Sequence, residues 1–331
     1  MTPELILYDD QMPRTYFWQL VLDLFEKRTI EFDVPFSLYI PFEDVAGENN
    51  WPRYARGDTA YLRGEPHSYE QEGTVMRYLG KIIEWAHMNK EHNVLLLNMN
   101  PFFRVPIITA NLSNVYVADI NLSIFERCKK FETISFPALP LQSSAERKIG
   151  RRKINISFQG VDSHPIRRFL TSFNDGSNTV IRIKDKSMHD TLMLDATAQK
   201  CDIEYIELLH DTNFALVPRG DAMFSYRLLE VMSHGCVPVI ISDGWVLPFD
   251  RLIGWNSFAY IINFDLISRF LPLLHSVPDE ELIRRQALVY QTYDSYFLDL
   301  PTILKSLASE MCKTAKMKTR YPYQLFQHPL K

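Results

Sequence analysis

The stretch 214–249 concentrates the residues whose types and spacing suit chemistry. It reads as strand, loop, helix, strand and turn: 214–217, then Pro218-Arg219-Gly220, a helix over 224–234, a strand over 237–241 and the turn Asp243-Gly244. Gly235 closes the helix as a left-handed cap. The loop 218–224 runs straight into the helix's amino end, where outward N–H groups and the dipole favour an anion. Ser225 falls at the N-cap. Arg219 and Arg227 add guanidiniums, whose planar forks match phosphate oxygens in pairs. Glu230 follows Arg227 by three residues and shares its face. A carboxylate there can accept both hydroxyls of a ribose, so the set suits a nucleoside diphosphate. A solvated i, i+3 ion pair worth about 0.3 kcal/mol accounts for Arg227 and Glu230 as well, and spacing alone names no ligand.

Strands and helices alternate around this segment. Apolar strand-length runs fall at 5–8, 36–40, 94–98, 114–118 and 133–136, with helical patterns at 15–28 and about 70–89. After them come strands at 154–158 and 179–183 and helices at 165–173, 205–209, 265–275, 278–293 and 301–316. In 278–293 a proline followed by Asp279-Glu280-Glu281 is a helix start signal. Such alternation predicts an α/β protein with parallel sheets. Residues 43–68 lack periodicity, and a connection that long is often functional. The polar stretch 142–153 marks a boundary. The predicted organisation is a Rossmann-like domain over 1–145, a second over 150–300, and a closing helix and tail over 301–331.

The bulk numbers narrow the class. A chain of 331 residues exceeds one ordinary core, and 46% hydrophobic with 23% charged residues is a globular composition. Lysine and arginine number 36 against 40 acidic residues, a net charge of −4 that argues against nucleic-acid binding. Cys128, Cys201, Cys236 and Cys312 show no paired spacing and read as reduced thiols. His189, His210 and His234 share no metal-ligand spacing. Trp51, Trp245 and Trp255 suit either stacking on a ligand or burial, and 290–297 reads as core. No run approaches the roughly 18 apolar residues of a membrane helix. The chain therefore reads as soluble and cytoplasmic. The sequons at Asn111, Asn121 and Asn155 matter only in a secreted setting.

The ordered motifs Pro218-Arg219-Gly220, Ser225-Tyr226-Arg227-Leu228-Leu229-Glu230, Gly235-Cys236-Val237-Pro238-Val239, Asp243-Gly244-Trp245 and Leu247-Pro248-Phe249 resemble the exostosin family of glycosyltransferases. Trp255-Asn256 fits as well. Phe158-Gln159-Gly160 with Ile166-Arg167 resembles the opening strand and helix of that family's donor domain, while Phe131–Pro137 and Tyr8-Asp9 match more thinly. The resemblance implies a GT-B fold, two Rossmann-like domains facing across a cleft. It implies an inverting transfer from a UDP-sugar to a glycan hydroxyl, the sugar being of the glucuronic acid, galactose, xylose or arabinose class. No permanently bound cofactor and no metal are implied. Ser225 and Arg227 would hold the diphosphate, Glu230 the ribose, Arg219 the leaving-group charge, and Gly160, Arg167 and Gly220 would complete the donor site. The implied partners are the donor and the glycan acceptor; charge balance and hydropathy argue against nucleic acid and against a membrane span in this chain. The resemblance, whose members are commonly anchored in the Golgi membrane, implies the Golgi lumen as the alternative to the cytoplasm.

An inverting transfer needs a general base for the acceptor hydroxyl. Relatives carry a His-Asp-Trp-like string after the strand equivalent to 94–97, whereas this chain has Asn98-Met99-Asn100-Pro101, without a carboxylate. The candidate bases are Asp10, beside Asp9 after the first strand, and Asp58 and His67, with Glu65, in the 43–68 loop. The competing readings are a catalytically inactive nucleotide- or glycan-binding module of the same fold, and an unrelated phosphate-binding α/β enzyme.

Overall fold

The computed structural model describes residues 36–40, 59–61, 80, 83–84, 86–91, 93–98, 104–140, 143–144, 146–184 and 203–320. The predicted strand at 5–8, the helix at 15–28, most of the 43–68 loop, Trp51, His189 and Cys201 lie outside them, as do the candidate bases Asp10, Asp58 and His67.

The architecture is α/β, and the chain divides into two compact units. One takes the described residues within 30–137, 244–252 and 305–320; the other takes those within 138–243 and 253–304. The first unit carries strands β1 (Phe36–Ile40), β2 (Thr59–Tyr61), β3 (Asn93–Asn98), β4 (Val115–Asp119) and β5 (Thr133–Ser135), all parallel, in the order β2-β1-β3-β4-β5. Val94–Leu97 and Val115–Ala118 are buried along their whole length. Such continuous apolar runs belong to parallel strands covered on both faces. β2 falls inside the stretch read above as irregular: only three residues long, it pairs through its backbone with Leu38–Ile40.

Two short helices of this unit, α1 (Val105–Ile108) and α2 (Ile124–Lys129), were not foreseen. Pro106 starts α1. A reciprocal capping box starts α2: Ser123 Oγ accepts from the Glu126 amide at 3.1 Å, and Glu126 Oε2 accepts from the Ser123 amide at 3.0 Å.

The second unit carries β6 (Ile154–Val161), β7 (Thr179–Lys184), β8 (Thr212–Pro218), β9 (Val237–Ile241) and β10 (Tyr260–Ile262), again all parallel, in the order β10-β9-β8-β6-β7. Its helices are α3 (Pro165–Leu170), α4 (Ile203–His210), α5 (Arg227–Ser233), α6 (Ile267–Phe270) and α7 (Asp279–Tyr296). Ile156, Phe158, Phe214, Leu216, Val239 and Ile241 form its core with Leu170, Ile267 and Leu282. The predicted helix at 265–275 is instead a single α turn, α6, flanked by 3-10 segments. Pro272 lacks the N–H that would continue it. A last helix, α8 (Leu300–Arg320), begins in the second unit and continues as part of the first.

Read in chain order, each described sheet runs second-first-third-fourth-fifth. In such doubly wound sheets ligands bind outside the carboxyl ends of the strands where the winding reverses. In the second unit that point lies between β6 and β8.

Candidate functional site

Three arginines converge on the carboxyl ends of β6 and β8. Arg227 opens α5 and donates from Nε to the Gln159 carbonyl at 2.5 Å, with its guanidinium 5.1 Å from the Phe158 ring centre. Arg167, on α3, lies 5.7 Å from the same ring. It donates to the carbonyls of Val161 (3.0 Å), Arg219 (2.9 Å) and Pro218 (3.4 Å), stitching the two strand ends where they diverge. Arg219 donates to the carbonyls of Gly220 and Asp221. Among the described residues no carboxylate takes a hydrogen bond from any of the three, although Asp221 and Asp162 lie near enough to Arg167 to offset part of its charge. Burial, then Arg227, pulls the Arg167 guanidinium down to about 9. His164, the N-cap of α3, is also pulled below its ordinary value, first by burial and then by Arg219 and Arg167. In both cases burial is the larger cause and the neighbouring guanidiniums add to it, while Asp221 opposes it.

Two glycines make room for this arrangement. A Cβ on Gly160 would sit 2.3 Å from Arg227 Nη2, so only glycine lets that side chain cross the end of β6. A Cβ on Gly220 would come within 3.0 Å of Arg167 Nη2.

Ser225 departs from its expected role. The α5 helix starts at Arg227, and its N-cap position is Tyr226, which has helical dihedrals and makes no side-chain cap. The chain is already turning at Ser225, whose carbonyl accepts from Leu228. Its hydroxyl is buried without a hydrogen-bond partner, a donor left over for something else. At seven residues, α5 is also shorter than the 224–234 helix read from the sequence.

Glu230 is buried, and its Oε2 accepts from Tyr205 Oη, on α4, at 2.9 Å. Burial, then Glu230, holds the Tyr205 phenol well above its ordinary value, so it stays a donor. The sequence holds no signal for this pair, whose members stand 25 residues apart. Gly235 has φ +67° and closes α5 as predicted: its amide reaches the Met232 carbonyl, and that of Cys236 the Val231 carbonyl. Trp255 is core, packed on Phe258 and Phe297. The 290–297 stretch also packs inward through Tyr290, Tyr293 and Phe297. Cys128, Cys236 and Cys312 are free thiols.

The first unit has its own polar row at the carboxyl ends of its strands, one that sequence reasoning missed. Asn98, Asp119 and Ser135 are lateral neighbours on β3, β4 and β5. Asp119 accepts from Asn98 Nδ2 and from the Asn121 amide, both at 2.7 Å. Burial lifts its carboxyl to about 7 against the opposing pull of those bonds. Ser135 Oγ is buried with no partner.

Two doubly wound parallel-sheet units are what a GT-B fold is built from. The Exostosin GT47 domain model matches residues 80–277, more than half of the chain, and the chain belongs to that family. It is 29% identical over 204 residues to the Exostosin-1 homolog of Caenorhabditis elegans, a match covering 57% of this chain and 52% of that relative. To Exostosin-1 of Mus musculus it is 34% identical over 101 residues, 30% of this chain and 14% of the relative. The chain thus matches about half the length of these relatives or less. A solved glycosyltransferase from Rickettsia africae aligns over 92% of this chain and 83% of its own at 12% identity, with a TM-score of 0.41. No described helix is long and apolar enough to cross a membrane.

Proposed function

We propose that the chain transfers a sugar from a UDP-sugar to a glycan hydroxyl with inversion, the unit built on residues 150–300 holding the donor. The observation that carries this is the group Arg167, Arg219 and Arg227 at the winding reversal between β6 and β8, hydrogen-bonded only to backbone carbonyls. A diphosphate supplies hydrogen-bonding anionic oxygens to guanidiniums that otherwise donate only to carbonyls, and the buried Ser225 hydroxyl is a further donor for it. In the reaction the acceptor oxygen bonds to the sugar's anomeric carbon on the face opposite the diphosphate. The carbon–oxygen bond to the phosphate breaks, and the pair of electrons leaves with UDP. Arg227 and Arg219 meet the charge as it develops, the part a metal plays elsewhere. Arg167 holds the loop that presents Arg219 and Gly220. The acceptor proton passes to a base in the 1–145 part, for which Asp10, Asp58 and His67 stand as candidates.

The donor sugar is of the glucuronic acid, galactose, xylose or arabinose class. The test is UDP release from a panel of UDP-sugars with and without chelator. Release from one donor, unchanged by chelator, is the expected result. Tight UDP binding with no turnover of any donor would favour the inactive binding module. Arg227→Ala and Glu230→Ala should lose donor affinity with the fold intact; unchanged affinity in both would remove the site.

A further inference from the structure

Resting on that reading of the 218–230 segment, we infer that Tyr205 is a positioning residue for nucleoside recognition: its hydroxyl fixes the Glu230 carboxylate in the orientation that takes the ribose diol. The three elements involved follow one another in the chain. Helix α4 leads into β8, β8 ends at the Pro218-Arg219-Gly220 loop, and that loop leads into α5. The inward side of α4 consists of Tyr205, Leu208 and Leu209 at helical spacing. Two of these are aliphatic, and the phenol oxygen brings the one side-chain hydroxyl of that face to Glu230 Oε2 at 2.9 Å.

A glutamate has three side-chain torsions, and burial alone does not choose the plane of its carboxylate. A hydrogen bond to one oxygen does, and it holds the other oxygen's direction constant. A bidentate contact to vicinal hydroxyls demands that fixed plane, because both O–H···O angles must be satisfied together. The phenol is suited to the part. It is enclosed, it keeps its proton because burial and Glu230 both oppose ionisation, and it adds no charge that would compete with the arginines for the diphosphate. A lysine or arginine at position 205 would neutralise Glu230 and weaken its pull on the ribose hydroxyls.

Tyr205→Phe removes the hydroxyl while keeping the ring that packs beneath α4. The measurement is the affinity of the 331-residue chain for UDP and for 2′,3′-dideoxyuridine diphosphate, by calorimetry, with melting temperature as the fold control. The wild type should prefer UDP. In Tyr205→Phe, UDP affinity should fall about tenfold while dideoxy affinity moves less than about twofold, so the preference collapses. Adding Tyr205→Phe to Glu230→Gln should cost little more, since the tyrosine acts through the glutamate. A Tyr205→Phe variant that keeps the wild-type preference, or that loses both ligands equally, overturns the inference and leaves the phosphate site standing. A wild type that binds both ligands alike overturns it together with the ribose role of Glu230. Loss of UDP binding in Arg227→Ala tests the phosphate site separately from both.

Discussion

At the scale of single residues, the site depends on what arginine can do and lysine cannot. Arg227 uses Nε on the Gln159 carbonyl and sets its guanidinium 5.1 Å from the Phe158 ring centre, while its terminal nitrogens make no hydrogen bond among the described residues. Lysine keeps the charge but has neither the fork nor the flat face. Arg227→Lys should therefore weaken UDP binding by roughly tenfold, with a melting temperature close to wild type; wild-type affinity in calorimetry would count against a bidentate phosphate contact. Gly160→Ala tests the same geometry from the strand that Arg227 crosses. Its methyl would come 2.3 Å from Arg227 Nη2 and 2.9 Å from the Phe158 ring. The guanidinium must swing away, so Gly160→Ala should mimic Arg227→Ala in UDP affinity. An alanine variant that binds UDP as well as wild type would mean that Arg227 is not held where the donor needs it.

At the scale of elements, the turn from α5 into β9 is the most exacting. Gly235 combines φ +67° with a position where a Cβ would lie 2.1 Å from Tyr290 Cζ. That tyrosine is itself anchored, accepting from the Lys148 amide at 3.0 Å and donating to the His234 carbonyl at 3.1 Å. Gly235→Ala thus adds left-handed strain to overpacking, and each costs on the order of 1–3 kcal/mol. Thermal unfolding should show a drop of several degrees; a wild-type transition would show that the turn relaxes freely. The same turn explains what was legible in the sequence. Gly235 and the apolar runs of β3, β6, β8 and β9 announce themselves, because a left-handed cap and a doubly covered strand each restrict residue type. α1 is a four-residue helix with no periodicity to read. α2 was readable through Ser123 and Glu126, whose spacing is a start signal that the surrounding apolar pattern obscures. The arginines at the site stood out by motif. Their packing on Phe158, the Tyr205–Glu230 bond and the Asp119 row arise only from strands and helices brought together, and no local rule encodes them. Ser225 was misread because the chain turns before the helix proper begins.

At the scale of the whole molecule, the two units carry opposite responses to pH. In the unit holding β1–β5, burial raises two acids: Asp119 to about 7, and Glu310 on α8 to about 8. The Glu310 carboxyl is buried with no side-chain donor on either oxygen, and Arg251, bonded to Thr314 of the same helix at 2.9 Å, tempers the shift through its charge and its backbone N–H. A carboxyl whose folded value exceeds its unfolded one binds its proton more tightly when folded. The stability it contributes is complete below the unfolded value near 4 and is lost as pH rises through 7 to 8. In the other unit, burial lowers His234 to about 4, so the folded form prefers the neutral ring. That contribution is complete above about 6.5 and is lost as pH falls towards 4. Each group contributes a slope of about 1.4 kcal/mol per pH unit inside its window. The first unit should therefore weaken between pH 5 and 8 while the second strengthens up to about 6.5 and then holds level. Hydrogen exchange followed by mass spectrometry at pH 5, 6.5 and 8, corrected for intrinsic rates, reads the two separately. Protection in β3 and β4 should fall with rising pH, while protection in β8 and β9 should rise from pH 5 to 6.5. Glu310→Gln should flatten the first trend and raise the melting temperature at pH 8, because an amide is spared the ionisation that the buried acid resists. Parallel trends in both units, or a Glu310→Gln variant less stable than wild type at pH 8, would show that α8 holds its glutamate as a compensated anion.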